Sequence, residues 1–299
     1  MSNLPTVVII GAMKSGTTSL HHYLNLHPEI CMSRQKELDF FNRDKNWNKG
    51  VEWYQSHFVG QKKIFGESSP NYTDYPREKN VPQRMFSIIP AAKLIYVVRN
   101  PVERIISHYI HLLAIGKEHR SIERALSNFD SNFYISRSRY YYQLSQFLGL
   151  YQPANILVIS SEELSNYPRK TMTEVFQFLE VEPNFEFAVA KNASNILVFG
   201  SSIINSEFKF DTKLHSSVYK RRLKIPTKGR IDKALRKITK ILPIEIREHA
   251  KKIVYLPFTE KIEKPKLDSK LHNQIWDYLS EDIEQLEEFA GRSFSEWEH

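Results

Sequence analysis

Apolar residues along this chain follow two rhythms. Five short runs, 6–11, 29–32, 63–66, 93–99 and 155–160, are Val/Ile-rich or bounded by turn residues. They do not alternate with polar residues, which is the pattern of a parallel strand buried on both faces. Between them, apolar positions recur at helical spacing over 17–26, 51–57, 78–89, 101–115, 138–150 and 169–179. Asn100 and Pro101 form a start signal for the fourth of these, as N-cap and first helical residue. A last amphipathic helix is predicted over 268–289, with Leu271, Ile275, Leu279, Ile283, Leu286 and Phe289 on one face. Strands alternating with helices predict an α/β fold of three layers, a central parallel sheet of about five strands with helices on both faces. Ligands of such sheets bind beyond the carboxyl ends of the strands.

Composition narrows this picture only in places. The 299 residues carry 42 Lys+Arg against 34 Asp+Glu, a net charge of +8, with 41% hydrophobic and 25% charged residues. That mix excludes a disordered or collagen-like chain. One cysteine, Cys31, excludes an internal disulfide and a cysteine-built zinc site. The apolar run at 7–13 is well short of the roughly 20 residues that span a bilayer, and no basic residue precedes it. The expectation is a cytoplasmic protein with no transmembrane segment, a single domain over 1–299. Within it, 201–263 is a variable basic region, its charge crowded into 209–240. That stretch reads either as a loop with a solvated helix face, or as a lid over an anionic ligand or a platform for an acidic acceptor.

The most informative stretch is an apolar strand followed by Gly11-Ala12-Met13-Lys14-Ser15-Gly16-Thr17-Thr18 and a helix. Two glycines let the backbone turn tightly, and the helix start adds unpaired amides and a positive dipole end. Hydroxyls of Ser15, Thr17 and Thr18 complete an oxyanion cradle. The plain alternative is an ordinary strand–Gly–helix turn. The spacing of Gly11 and Gly16 is that of the P-loop, but Thr17 stands where the nucleotide-binding lysine would be. The lysine lies inside the loop, at Lys14, where it faces the terminal group of a shorter donor. No acidic strand end offers a magnesium ligand, so the site reads as one for a phosphate donor other than ATP, with no metal.

Lys14-Ser15-Gly16-Thr17-Thr18 resembles the 5′-phosphosulfate loop of the sulfotransferases that use PAPS, 3′-phosphoadenosine 5′-phosphosulfate. That family's second motif is a strand ending in Arg with a Ser eight residues on, and Arg99 and Ser107 supply it. Arg99 ends a buried strand at the sheet's carboxyl edge, and Ser107 lies about two turns into the next helix. An arginine can grip a phosphate through two parallel bonds and a hydroxyl can complete the clamp. By itself, Arg99 would read as a structural ion pair.

Gln35-Lys36-Glu37-Leu38-Asp39-Phe40-Phe41 resembles the Glu-x-x-Phe-Phe segment of the heparan sulfate N- and 3-O-sulfotransferases. The resemblance implies that Glu37 is the general base, with partial desolvation raising its pKa toward working pH. The plain reading is a surface charge beside Lys36; Asp39 is a rival, and His57 or His108 could serve as in the cytosolic small-molecule enzymes. Gly66-Glu67-Ser68-Ser69-Pro70-Asn71-Tyr72 resembles the group's Glu-Lys-[Ser/Thr]-Pro-x-Tyr segment, but Ser68 replaces the lysine, so Lys14 or another cation takes over that work. Arg139–Leu144, Ile156–Ile159 and the closing Gly291-Arg292 with Trp297 look like further family segments. The relatives' disulfide-closed Lys-Gly-Arg loop has no counterpart with two cysteines; Lys228-Gly229-Arg230 lies far upstream, and Lys261 and Lys264 hold the expected spacing.

Taken together, the expected function is transfer of the sulfuryl group from PAPS to a hydroxyl or amine, on a polysaccharide or glycolipid. Lys14, Ser15, Gly16, Thr17 and Thr18 would hold the 5′-phosphosulfate, Arg99 and Ser107 the 3′-phosphate, and Glu37 would take the acceptor's proton. The rivals are a P-loop nucleotide kinase or ATPase, and a module binding polyanions through the basic region. No aromatic-interleaved basic strand of the RNA-binding kind is present, so no nucleic-acid partner is expected.

Overall fold

The computed structural model describes residues 4–183, 221–223 and 259–297. Five parallel strands form the central sheet: β1 (Val7–Gly11), β2 (Ile30–Met32), β3 (Ile64–Ser68), β4 (Lys93–Val98) and β5 (Ile156–Ser160), in the order β2-β3-β1-β4-β5. Every neighbouring pair is parallel, with Val8 opposite Glu67 on one side and Leu94 on the other. All five expected strands form. β3 runs two residues further than its apolar pattern, so Glu67 and Ser68 are strand residues.

The strand side chains divide between two cores, as a sheet covered on both faces requires. Val8, Ile10, Leu94, Tyr96 and Val98 enter one core. There they meet α2 (Gly50–Gln55), α3 (Val81–Ile88), α4 (Pro101–Ala114), α7 (Tyr140–Leu148) and the long α10 (Ser269–Ala290). Val7, Ile9, Ile95 and Val97 enter the other, under α1 (Thr17–Leu26), α8 (Ser161–Asn166) and α9 (Pro168–Phe178). The strands carry no polar stripe because neither face meets water.

Asn100 caps α4 as expected, accepting the Glu103 amide at 3.0 Å, and Pro101 opens the helix. The C-terminal helix does more than cover apolar surface. Its Asp282 accepts the amides of Tyr141 and Tyr142 at 2.9 and 2.8 Å, holding the first turn of α7. The chain close folds back too: Trp297 is buried, stacks on Phe294 at 4.3 Å, and its carbonyl accepts the Asn100 amide group.

Two expectations shift. The helix predicted from 78 starts at Val81, because Asn80 takes a left-handed conformation (φ 60°) and Pro82 can sit only in a first turn. Short helices α5 (Ile122–Ala125) and α6 (Phe133–Ser136) appear where no period was legible; their Ser121 and Asn132 caps are the local signal. Of the basic stretch at 209–240, only 221–223 is described, as strand β6 (Arg221–Leu223) antiparallel to β7 (Thr259–Lys261). The rest of that expectation, Lys228-Gly229-Arg230 included, lies outside the described residues. Among the described residues no helix is long and apolar enough to cross a membrane.

Candidate functional site

The carboxyl ends of β1, β3 and β4 meet at one edge, and the loops leaving them build the site. The loop after β1 folds as its glycines demand. A Cβ on Gly11 would collide with Thr73 Oγ1 and come within 2.8 Å of the Tyr96 ring. Gly16 caps α1 in the left-handed region (φ 91°), where L side chains are strained. The Ser19 amide bonds the Gly16 carbonyl at 3.0 Å, while those of Gly16, Thr17 and Thr18 reach no backbone carbonyl among the described residues. Ser15 and Thr17 are buried beneath them. This is a helix start with unpaired backbone donors, suited to an oxyanion.

Arg99 leaves the end of β4 and spans to that loop. Its guanidinium donates to the Lys14 carbonyl at 3.5 Å and to Glu103 at 3.4 Å, and its own carbonyl accepts the Tyr140 hydroxyl. The first loop and Arg99, far apart in sequence, therefore share one wall. Glu103 is also held by Lys264, whose ammonium lies 2.8 Å from both carboxylate oxygens. Lys264 thus stands beside the arginine. Ser107 lies one turn beyond Glu103 on the same half-buried face of α4; the Arg99 guanidinium bonds Glu103 rather than Ser107.

Lys14 is the most perturbed cation of the site. Burial, then the nearby Arg99 charge, hold its pKa down to about 8, while Glu37 pulls the other way and Lys36 adds to the fall. Arg99 and Glu37 therefore both lie within electrostatic reach of Lys14. Glu37 sits on the loop after β2 and its amide bonds the Ser68 carbonyl at 2.9 Å. Its carboxylate is half-exposed and pairs with Lys36 at 2.8 Å. Phe40 and Phe41 are fully buried behind it, Phe40 stacked on Tyr54 at 4.3 Å.

The expected rise in the Glu37 pKa does not occur. Burial does push it up, but Lys36, through charge and hydrogen bond, and then His111 and Lys14 outweigh burial and hold the carboxyl below its ordinary value. Asp39 is held differently. It is buried, accepts both Asn71 amide bonds at 3.2 and 3.1 Å and pairs with Lys45 at 3.4 Å. Burial raises its pKa against those partners. Its valences are spent on structure. His108 is buried against Arg104, which Ser138 and the Tyr134 carbonyl also hold, and burial pushes its pKa well down. His57 packs on the Trp53 ring at 4.5 Å with Lys49 as its charged neighbour.

Two groups at the site escaped the sequence reading. His111 lies one turn past Ser107 on α4, and its imidazole is held down to about 4 by burial and then by Lys14, with Glu37 opposing. The spacing 103, 107, 111 on one helix face was the available signal. Arg137, just before α7, rests its guanidinium on the Met13 sulfur of the first loop at 2.6 Å and pairs twice with Asp74. Nothing local marked it. Ser68, where the resemblance implies a lysine, is fully buried and its hydroxyl has no hydrogen-bond partner among the described residues. Among the same residues no cluster of His, Cys, Asp and Glu could hold a metal.

Residues 4–198 match the model of a family described as a sulfotransferase domain. Over 200 residues, 62% of the chain, the sequence is 31% identical to the bifunctional heparan sulfate N-deacetylase/N-sulfotransferase 1 of Caenorhabditis elegans, covering 23% of that protein. Over 196 residues, 61% of the chain, it is 30% identical to the heparan sulfate glucosamine 3-O-sulfotransferase 5 of Homo sapiens, covering 55% of it. The chain thus matches under a quarter of the first relative's length and about half of the second's. A sulfotransferase crystal structure from Alicyclobacillus acidocaldarius shares the fold, with TM-score 0.65 over 99% of both chains at 21% identity.

Proposed function

The chain belongs to the sulfotransferase family, and from that premise we propose that it transfers a sulfuryl group from PAPS to a hydroxyl or amine of a carbohydrate, with Glu37 as general base. The observation that carries this reading is the placement of Arg99 and Glu37 around Lys14 at one sheet edge, with unpaired amides at the start of α1. The residues present fit a doubly phosphorylated donor. A left-handed glycine at a helix start leaves oxyanion donors, and two cations stand close enough to depress one pKa.

When bound, PAPS supplies a sulfuryl group on a phosphate leaving group. Lys14 and the amides of 16–18 would hold the 5′ end and meet the charge that develops on the departing phosphate. Arg99 would bind the 3′-phosphate, with Ser107 on the adjoining face of α4 and Lys264 at its rim. Glu37 would accept the acceptor's proton. Its lowered pKa keeps it ionised at neutral pH, so it is ready to accept a proton without first losing one. The carbohydrate acceptor rests on likeness to enzymes named for heparan sulfate.

Donor recognition tests this reading. Adenosine 3′,5′-bisphosphate should raise the melting temperature by mass action, and AMP should do so far less. Arg99→Ala should remove most of that difference, since a charge-assisted bond contributes about 1.5–3 kcal/mol. Equal stabilisation by the two nucleotides in the unmodified protein would overturn the 3′-phosphate clamp.

A further inference from the structure

Glu67 has no exposed surface and lies in β3, immediately before Ser68. Three hydroxyls converge on its carboxylate. Tyr54 and Tyr72 donate to Oε1 at 2.5 and 2.8 Å, and Ser69 donates to Oε2 at 2.8 Å. Two of these hydroxyls carry a second bond, and both lead to the same loop. Ser69 Oγ accepts the Asp39 amide at 3.0 Å, and the Tyr72 hydroxyl accepts the Phe41 amide at 3.4 Å. Asp39 and Phe41 follow Glu37 closely in that loop. The loop itself is conformationally demanding: Glu37 and Asp39 have φ of 61° and 46°, a region disfavoured for residues with a Cβ. Such conformations persist only where the surroundings over-determine them.

We propose that Glu67 is a positioning residue for Glu37, its ionised carboxylate orienting the Ser69 and Tyr72 hydroxyls so that they hold the loop amides of Asp39 and Phe41. The naming of Glu37 as the base rests on the function proposed above; the ordering of its loop stands without it. An ionised carboxylate only accepts. Each hydroxyl must therefore spend its hydrogen on Glu67 and turn a lone pair to the loop. A protonated Glu67 carries an O–H that must donate. The hydroxyl it meets then loses its acceptor, and the link beyond slackens.

The switch lies near neutrality. Burial drives the Glu67 pKa up to about 7, against the three hydroxyl donors, and the Asp39 carboxylate adds to the rise. Tyr54 and Tyr72, the other titratable groups facing it, are pushed above their ordinary range by burial and stay protonated.

The test follows amide hydrogen exchange of residues 36–42 in the full chain, corrected for intrinsic rates, at pH values on either side of about 7. Loop protection in the unmodified protein should fall on the acid side, while amides of β1 and β4 hold. In Glu67→Gln the loop should exchange fast at both pH values. Turnover should drop about 10–100-fold, the scale of a small misplacement of a reacting group. It should lose its acid-side decline near neutrality, with affinity for adenosine 3′,5′-bisphosphate unchanged. Wild-type loop protection and an unaltered pH profile in Glu67→Gln would overturn the proposal. If that variant does not fold, Ser69→Ala and Tyr72→Phe each cut one link and leave the carboxyl in place. Unchanged loop exchange in both would overturn it equally. Fast loop exchange in Glu67→Gln beside full turnover in Glu37→Gln would reject the base and keep the positioning role. Unmoved exchange beside a dead Glu37→Gln would do the reverse.

Discussion

Lys14 holds its charge in a place that resists it. Burial and Arg99 bring its pKa from 10.5 to about 8. In the proposed role the protonated form binds and stabilises phosphate, so kcat/KM, which reports the free enzyme, should fall as pH rises through about 8. Lys14→Arg should move that decline to higher pH, because a guanidinium does not deprotonate there. An alkaline limb that stays in place in Lys14→Arg would assign it to another group. Glu37 titrates below its ordinary value, so its own protonation limits the rate only in acid. Glu37→Gln should cost about 10²–10⁴ in turnover with donor affinity kept, whereas Asp39→Asn, whose carboxylate already serves Asn71 and Lys45, should act mainly on stability. Steady-state kinetics on both variants checks this, and a larger turnover loss in Asp39→Asn would exchange their roles. At this scale the residues of the first loop were legible in the sequence because their chemistry is local: a glycine pair, a lysine and a helix start lie within eight positions. His111 and Arg137 were not, because each reaches the site from another element. The Glu37 pKa was misjudged because burial was weighed without the adjacent Lys36, whose charge and hydrogen bond lower it most; His111 on α4 and Lys14 after β1, which sequence separation hides, add to the fall.

Among elements, α4 carries the most. It begins at the strand end that bears Arg99, and it presents Glu103, Ser107 and His111 along one face. Its cap also ties in the chain close, since Asn100 accepts the Glu103 amide and donates to the Trp297 carbonyl. Asn100→Ala should therefore cost about 1–2 kcal/mol, the upper part of the range for a lost cap, read by denaturant unfolding. An unchanged midpoint would show that neither bond contributes. β3 supplies the buried carboxyl. With Glu67 at about 7 in the folded protein against an ordinary value of 4.5, folding favours its protonated form. Its contribution to stability is fully present below about 4.5 and is lost as pH rises through about 7. Glu67→Gln should flatten the pH dependence of the melting temperature in that window; an unaltered slope would mean the group titrates elsewhere. The five strands were legible because each is buried on both faces, and the longest helices because their apolar stripes face one core. Helices of a single turn, such as α5 and α6, have no period to read and depend on caps and tertiary contacts.

Across the whole molecule, the sheet order places β1 centrally, between β3 and β4. The first loop therefore lies between the Glu37 loop, anchored on β3, and Arg99, which follows β4. The order of strands in sequence does not reveal this neighbourhood; pairing does. The net charge of +8 fits an anionic partner, and the described cations at the sheet edge account for part of it. A polyanion-binding module acting through the basic stretch alone would bind independently of Lys14 and Arg99, with steep salt dependence. In the proposed function this edge moves a sulfuryl group. That function is tested most directly by incubating the protein with sulfur-labelled PAPS and a glucosamine-containing polysaccharide, and following label and adenosine 3′,5′-bisphosphate together. Label should appear on the polysaccharide in equal amount to the nucleotide released, and its rate of appearance should fall steeply in Lys14→Ala and Glu37→Gln. The proposed function would be contradicted by no transfer to carbohydrate, lipid or phenol acceptors from a folded protein that instead hydrolyses ATP with magnesium.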